Sequence, residues 1–276
     1  MHYLSIIWDP ATGIDLGFIT LQYYSLMFVA AFALGWYLMK KIFIREALPI
    51  EKLDTLFIYT VFATLIGARL GHVFFYDWDY FQHHILEIFL PFKLSPEFEF
   101  TGFRGLASHG AAIGIIVAMY FYTKKVLQKP LLWILDRVVI PVACGAIFIR
   151  IGNFFNSEII GKATGSDYGV VFGALGEDFA RYPTQLFESV SYLFVFLILW
   201  YLYWKTNKRI RQGYIFGMFL VLLWSVRFIV EFWKENQVDF EDAMPLNMGQ
   251  LLSIPFILLG LFFMFRTRDK NESPNF

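Results

Sequence analysis

Seven stretches of this sequence are each long and apolar enough to cross a lipid bilayer as a helix. They comprise residues 21–39, 53–76, 106–123, 131–155, 186–204, 214–233 and 249–265. About 20 helical residues cross the hydrocarbon core of a bilayer, and a helix satisfies its own backbone hydrogen bonds there. The pattern therefore predicts an all-α, polytopic integral membrane protein with about seven transmembrane helices, built as a single domain over residues 1–276.

The composition agrees with a membrane protein and excludes several functional classes. Of the 276 residues, 58% are hydrophobic and 20% are aromatic, which a soluble domain of this length rarely reaches. The formal net charge is zero, so nothing favours a nucleic-acid partner. Cys144 is the only cysteine, which excludes a disulfide framework and a cysteine-based metal site. In the fourth stretch, we predict that Asp136 and Arg137 lie near the start.

The connections between the stretches alternate in charge. Basic residues follow the first, third, fifth and seventh stretches, namely Lys40, Lys41, Arg45, Lys52, Lys124, Lys125, Lys129, Lys205, Lys208, Arg209, Arg211, Arg266, Arg268 and Lys270. Acidic residues follow the other three, namely Asp77, Asp79, Glu87, Glu97, Glu99, Asp167, Glu177, Asp178, Glu235, Asp239, Glu241 and Asp242. Basic connections stay in the cytoplasm. The N-terminus is therefore predicted outside and the C-terminus in the cytoplasm.

The first outer connection, residues 77–105, is long and contains a second apolar segment. Residues 85–92 are apolar but too short to cross a bilayer. One interpretation is an interfacial helix that lies on the outer leaflet. The other is a packed extracellular loop.

A group of polar residues in or next to the predicted spans lies toward the outer leaflet once this orientation is applied. They are Tyr24, Arg69, His109, Arg150, Asn153, Asn156, Glu158, Gln185, Glu188, Arg227 and Glu231. Ionisable residues in a membrane are costly and commonly mark functional sites. Because a random scatter would not place them all at one depth, we infer a single polar site on the outer side.

Several of these residues also have a structural interpretation. Arg227 and Glu231 are spaced i, i+4 and could form a structural ion pair. Arg69 could extend to the lipid headgroups, which we favour for this residue. Gly67 and Gly71 fit the close packing of two membrane helices better than a ligand role.

The residue types suit the binding of a phospholipid headgroup. The planar guanidinium groups of Arg69, Arg150 and Arg227 can bind a phosphate through two hydrogen bonds each. The glycines of 161-GKATG-165 allow backbone N–H groups to approach an anion. His109 is followed by small residues, and a histidine at a wet interface can accept a proton near neutral pH.

At these residues the sequence resembles the prolipoprotein diacylglyceryl transferase family. The segment 150-RIGNFFNSEIIGK-162 is similar to the family signature G-R-x-G-N-F-x-N-x-E-x-x-G, with Ile149 in place of the leading glycine. Further similar blocks occur in the family's order, namely 67-GARLGHVFFY-76, 102-GFRGLASHGAAIG-114, 181-RYPTQLFES-189, 227-RFIVEF-232 and 247-NMGQLLSIP-255. Tyr182, Leu223 and Ala111 depart from the residues that many members carry there.

The resemblance implies an enzyme that moves a diacylglyceryl group from phosphatidylglycerol to the thiol of the lipobox cysteine in a preprolipoprotein signal peptide. It implies release of glycerol phosphate, no metal or organic cofactor, and a location in the bacterial cytoplasmic (inner) membrane among membrane lipids. The predicted catalytic residues are His109, Arg150, Arg227 and Glu158. The predicted substrate-binding residues are Tyr24, Arg69, Asn153, Asn156, Gly161, Gln185, Glu188 and Glu231.

His109 is our preferred base for the acceptor thiol. Glu158, Glu188 and Glu231 are rivals, but a carboxylate near three arginines should stay ionised and accept a proton poorly. A phospholipid transporter or flippase is the alternative function, because it would also gather arginines around a lipid phosphate. Such a transporter commonly has paired broken helices and polar residues at the midplane, which this sequence lacks. A structural subunit would leave the outer polar cluster without a role.

Overall fold

The computed structural model describes residues 5–17, 20–90, 92–93, 98–100, 105, 107–236, 241 and 244–266. Seven of its helices are long and apolar enough to span a membrane, which confirms the predicted number. The main α-helices are α1 (Tyr23–Arg45), α2 (Ile50–Tyr76), the short α3 (Trp78–Phe81), α4 (Ser108–Tyr122), α5 (Leu131–Phe155), α6 (Thr184–Lys205), α7 (Tyr214–Val230) and α8 (Met248–Phe265).

The helix boundaries differ by a few residues from those predicted. The span that begins in α4 continues through one further turn to Leu127, beyond the predicted end at residue 123, whereas the span that begins in α7 ends at Trp233 as predicted. Helix α1 continues to Arg45, six residues beyond the predicted end. Hydropathy detects only the part of a helix that crosses hydrocarbon, whereas basic residues such as lysine and arginine extend the same helix into water.

Short strands accompany the helices and were not predicted. Strand β1 (Ser5–Trp8) pairs in parallel with β6 (Gly169–Phe172). Strands β2 (Gly13–Asp15) and β3 (Thr20–Gln22) form an antiparallel pair before α1, and β4 (Phe92–Lys93) pairs with β5 (Glu99–Phe100). Two to four residues are too few to show the alternating pattern of a strand. The fold class is nevertheless mainly helical, as predicted.

The chain forms two compact units. The first comprises residues 1–39 and 135–276, and the second comprises residues 40–134. The assignment of residues 1–276 to one domain stays a prediction.

In the second unit, α2 and α4 pack through glycines. A Cβ atom added to Gly67 would lie 2.5 Å from the carbonyl oxygen of Gly110, and one added to Gly71 would lie 2.6 Å from the Gly110 Cα. Since real Cβ atoms do not approach backbone this closely, only glycine permits this helix separation. The helix-packing interpretation of Gly67 and Gly71 is confirmed.

Gly71→Ala is therefore expected to destabilise the protein by about 1–3 kcal/mol, because α2 and α4 must move apart to admit the methyl group. Gly35→Ala is the matched control, since its added Cβ would meet only the Pro141 Cβ at an ordinary 3.7 Å. Thermal unfolding in detergent micelles measures both variants. Equal midpoints for the two would contradict the packing argument.

The connection after α2 contains a packed loop and not the longer interfacial helix. Helical structure within 85–92 is limited to a 3-10 turn at Ile85–Ile88, and Pro91 lies outside the described residues. Ile88 packs with Val73 and Phe81, and Glu87 is buried. Glu87 and Ile88 are therefore buried within the protein, whereas a helix lying on the membrane surface would not pack in this way. The packed-loop interpretation describes this segment. The location of residues 77–105 at the outer leaflet stays a prediction.

A hydrogen bond closes this loop. The Tyr80 hydroxyl donates to the Glu87 carboxylate at 2.6 Å, and this bond raises the pKa of Tyr80 to about 12. The Tyr80 ring stacks on His84.

In the first unit, a buried carboxylate joins the starts of two helices. Asp136, near the start of α5 as predicted, accepts hydrogen bonds from the backbone N–H groups of Gly213 at 2.7 Å and Phe216 at 2.8 Å. It thereby satisfies N–H groups that the first turn of α7 leaves without helical partners. Helices α7 and α8 then pack closely through Gly217 and Gly260.

Candidate active site

The end of α5 is held in place by the N-terminal strand. The Trp8 indole N–H donates to the Phe154 carbonyl at 3.0 Å, and the Trp8 ring packs on the Phe154 ring. Phe154 also packs with Val170 and Phe172 of β6. This small core fixes the last turn of α5, from which the polar side chains of the signature segment project.

The signature segment forms a chain of side-chain hydrogen bonds. Arg150 Nη1 donates to Asn153 Oδ1, and Asn153 Nδ2 donates to Glu158 Oε2, both at 3.1 Å. Asn156 Nδ2 donates to the other oxygen of Glu158, also at 3.1 Å. Tyr24 of α1 interacts with Asn153, Glu158 and Arg150. Both Glu158 oxygens thus accept amide hydrogen bonds, which hold its carboxylate toward Asn153 and Asn156.

Helix α6 binds the same segment through residues of its first two turns. Gln185 Nε2 donates to the Glu158 carbonyl at 2.7 Å, and Thr184 Oγ1 donates to the Ile159 carbonyl at 3.1 Å. One turn further, the fully buried Glu188 forms an ion pair with Arg150, with 2.7 Å between Oε2 and Nε. A helix places residues i and i+3 or i+4 on one face, so Thr184, Gln185 and Glu188 all point toward the end of α5.

The end of α7 completes an alternating row of charges. Arg227 pairs with Glu231 at 3.5 Å, as the i, i+4 spacing predicted. The Lys234 ammonium lies 2.9 Å from Glu188 Oε1 and 3.3 Å from Glu231 Oε1. We call the row Arg150–Glu188–Lys234–Glu231–Arg227 the charge chain. Its three cations and two carboxylates sum to one positive charge.

The last element of the site is the start of α8. Asn247 Nδ2 donates to Glu231 Oε2 at 3.3 Å, while the Asn247 side chain and Gln250 cap α8 reciprocally. A Cβ added to Gly249 would collide with the Glu231 carboxylate. Asn247 and Gly249 therefore hold Glu231 in the position from which it reaches Arg227.

Gly161 is required for close packing at this site. A Cβ added there would collide with the backbone of Tyr182, and the Gly161 carbonyl accepts a hydrogen bond from Arg181 at 3.0 Å. Arg181 also pairs with Glu177 and Glu235, and its hydrogen bonds with these carboxylates raise the pKa of Arg181. Packing is thus a sufficient reason for glycine at 161, and anion binding there stays a prediction.

Sequence reasoning missed three members of the site. Lys234 and Asn247 both contact Glu231, and Tyr192 donates to Glu188 Oε1 at 3.4 Å. The spacings offered a signal, because Lys234 follows Glu231 by three residues and Tyr192 follows Glu188 by four. Each spacing is common by chance, so neither marks a site without the tertiary contact.

The structure brings most of the predicted residues together in the first unit. These are Tyr24, Arg150, Asn153, Asn156, Glu158, Gly161, Gln185, Glu188, Arg227 and Glu231. Arg69 and His109 belong to the second unit. The convergence of the three arginines and the histidine on one substrate therefore stays a prediction.

Arg69 is engaged with the packed loop. Its guanidinium donates to the backbone carbonyls of Glu87 and Ile88, both at 2.9 Å, and lies 4.6 Å from the centre of the Phe81 ring. These bonds give Arg69 a structural role within the loop. This role differs from the extension to lipid headgroups that we favoured from the sequence. Phosphate binding by Arg69 stays a prediction.

His109 lies at the start of α4 with an exposed ring. The ring contacts Phe75 edge-on at 5.1 Å and Tyr76 at 5.7 Å between centroids. Among the residues that the structure describes, the imidazole makes no hydrogen bond that would hold it in a structural role. Proton transfer by His109 stays a prediction.

Comparison with known proteins identifies the family of this chain. The family described as prolipoprotein diacylglyceryl transferase matches residues 12–266. A protein of Bacteroides fragilis named phosphatidylglycerol–prolipoprotein diacylglyceryl transferase is 40% identical over 265 residues, covering 95% of each chain. Proteins with the same name from Chloroherpeton thalassium and Tolumonas auensis are 39% and 38% identical, covering 95% and 93% of this chain and 94% of their own.

The matched region contains all seven membrane-spanning helices and every residue of the charge chain. The comparisons give no support to the transporter alternative. By its sequence along nearly its whole length, this multi-pass membrane protein belongs to the prolipoprotein diacylglyceryl transferase family.

Proposed function

We propose that this enzyme transfers the diacylglyceryl group of phosphatidylglycerol to the thiol of the lipobox cysteine in a preprolipoprotein signal peptide. The names of the relatives support phosphatidylglycerol and prolipoprotein as substrates. The observation that carries the proposal is the charge chain, in which two arginines are linked through buried carboxylates at one end of the helices. Its single positive charge matches the single negative charge of a phosphodiester.

In the proposed reaction, the cysteine thiolate attacks the glycerol carbon of the diacylglyceryl group. A sulfur–carbon bond forms, the bond between that carbon and the phosphate oxygen breaks, and glycerol phosphate leaves with the bonding electrons. Donors aimed at the leaving phosphate stabilise the charge that develops on it. Arg150 and Arg227 supply those donors, and the residues predicted to bind substrate, such as Asn153 and Gln185, orient the lipid.

His109 is the proposed base that removes the thiol proton. An unperturbed cysteine thiol has a pKa of about 8.5 and is mostly protonated at neutral pH. His109 is exposed at the start of α4, where a peptide can reach it. Glu158 is a weaker candidate because both of its oxygens already accept amide hydrogen bonds.

A gel-shift assay tests the proposed function. Purified enzyme is mixed with phosphatidylglycerol vesicles and a lipobox peptide, and the peptide with cysteine should gain the mass and mobility of a diacylglyceryl adduct. The same peptide with serine should not change. Lipid movement between leaflets without any adduct would instead support a transporter.

We also propose that the enzyme lies in the bacterial inner membrane with its N-terminus and its site on the outer side. The alternation of charge between connections supports this orientation. In a Cys144→Ala background, Ser166→Cys should react with an impermeant maleimide added to intact spheroplasts, since Ser166 is exposed. Lys125→Cys, which is also exposed, should be protected until the membrane is opened. The reverse pattern would overturn the orientation.

A further inference from the structure

We infer that Lys234 is a positioning residue that keeps Arg150 and Arg227 available to the lipid phosphate by holding the two carboxylates between them. The inference rests on the proposed function. Lys234 is 1% exposed, and a fully buried lysine is rare unless it is paired. No role in the proposed chemistry has been assigned to it, although it lies at the centre of the charge chain.

The backbone places this lysine inward. Lys162 N donates to the Trp233 carbonyl at 2.8 Å, and Glu235 N donates to the Ile160 carbonyl at 3.1 Å. This strand-like pairing sets Gly161 opposite Lys234. Lys234 has an extended backbone directly after the 3-10 turn Glu231–Trp233. Successive side chains of an extended segment point to opposite sides, so Lys234 is buried while Glu235 is exposed.

The ammonium group separates two carboxylates that would otherwise compete for the arginines. Its contacts are Glu188 Oε1 at 2.9 Å and Glu231 Oε1 at 3.3 Å. Each carboxylate also pairs with one arginine, Arg150 or Arg227. Without the lysine, two buried anions would be neutralised by these arginines alone, and each guanidinium would be drawn toward its own carboxylate.

The net charge of the charge chain also favours this role for Lys234. With Lys234 the charge chain carries one positive charge, so a bound phosphodiester brings it to neutrality. Without Lys234 the chain is neutral before lipid binds, and binding would leave an uncompensated negative charge in a poorly solvated site. Lys234 therefore favours binding of the lipid phosphate without needing to touch it.

Restoring the charge balance by a second substitution provides the test. Lys234→Met should raise the KM for phosphatidylglycerol and lower kcat/KM by at least about tenfold, as expected for one member of a coupled network. Lys234→Met combined with Glu188→Gln removes one cation and one anion, so it should bring the KM for phosphatidylglycerol back toward the wild-type value and regain part of the kcat/KM lost in Lys234→Met. Lys234→Arg should keep most of the activity, and Lys129→Met is the control at an exposed lysine.

A purely structural role gives a different pattern. In that case Lys234→Met would lower the thermal midpoint and the amount of folded enzyme. Adding Glu188→Gln to Lys234→Met would then lower kcat/KM further instead of restoring it. If Lys234→Met does not fold, the test rests on the double variant alone. A double variant that folds but has a KM for phosphatidylglycerol far above that of wild type overturns the inference. Unchanged kinetics in Lys234→Met would also overturn it. Absence of transfer by wild type would instead refute the proposed function.

Discussion

Arg150→Lys and Arg227→Lys are each expected to slow diacylglyceryl transfer by roughly 30- to 1,000-fold. This corresponds to about 2–4 kcal/mol of barrier, the cost of losing a donor aimed at developing charge. Arg150 contacts Glu188 through Nε and Asn153 through Nη1. A lysine has one nitrogen and cannot keep these separate contacts while it also faces a phosphate. Initial rates with phosphatidylglycerol and a lipobox peptide measure the loss.

The control for this pair is Arg209→Lys, which changes an arginine in the predicted cytoplasmic connection after α6 and should retain wild-type rates. Expression and thermal midpoint are measured for all three variants, so that a folding defect is separated from a catalytic one. Near-normal turnover in both Arg150→Lys and Arg227→Lys, with normal folding, would reduce these arginines to helix-packing residues.

His109→Gln is expected to lose most activity at neutral pH and to regain part of it as the pH rises above about 8.5. Glutamine keeps a hydrogen-bonding side chain but cannot accept the thiol proton. At higher pH the thiol ionises without assistance, so the need for a base disappears. The measurement is the pH dependence of kcat/KM for wild type and variant. Wild-type rates across neutral pH in His109→Gln would place the base elsewhere.

His72 is the residue to compare with it. Its ring stacks on Tyr76, which His109 also contacts, and its Nε2 lies 4.0 Å from the Asp77 carboxylate. His84→Gln serves as the control, since that ring packs within the loop against Tyr80. If His72→Gln rather than His109→Gln shows recovery at high pH, the proton acceptor is His72.

The sequence by itself determined the features that depend on local spacing. Seven spans could be predicted because the length of an apolar stretch is a property of consecutive residues. The Arg227–Glu231 ion pair could be proposed because an i, i+4 spacing brings side chains together in any helix. Asp136 could be placed near the start of its span because its position within the apolar stretch is also read from consecutive residues. The signature segment after Arg150 carried the family resemblance, which the comparisons then confirmed.

Only the tertiary structure decided which charges are partners. Arg150 pairs with Glu188 from another helix, and Lys234 reaches a carboxylate 46 residues away in the chain. Arg69 binds the carbonyls of a loop whose packing the apolar pattern of residues 85–92 did not reveal. Ion pairs and hydrogen bonds form between groups that are close in space, and spacing along the chain predicts that proximity only within one helix. Between helices, packing determines which residues become partners. The close contact of Gly67 and Gly71 with α4 is an example of such packing.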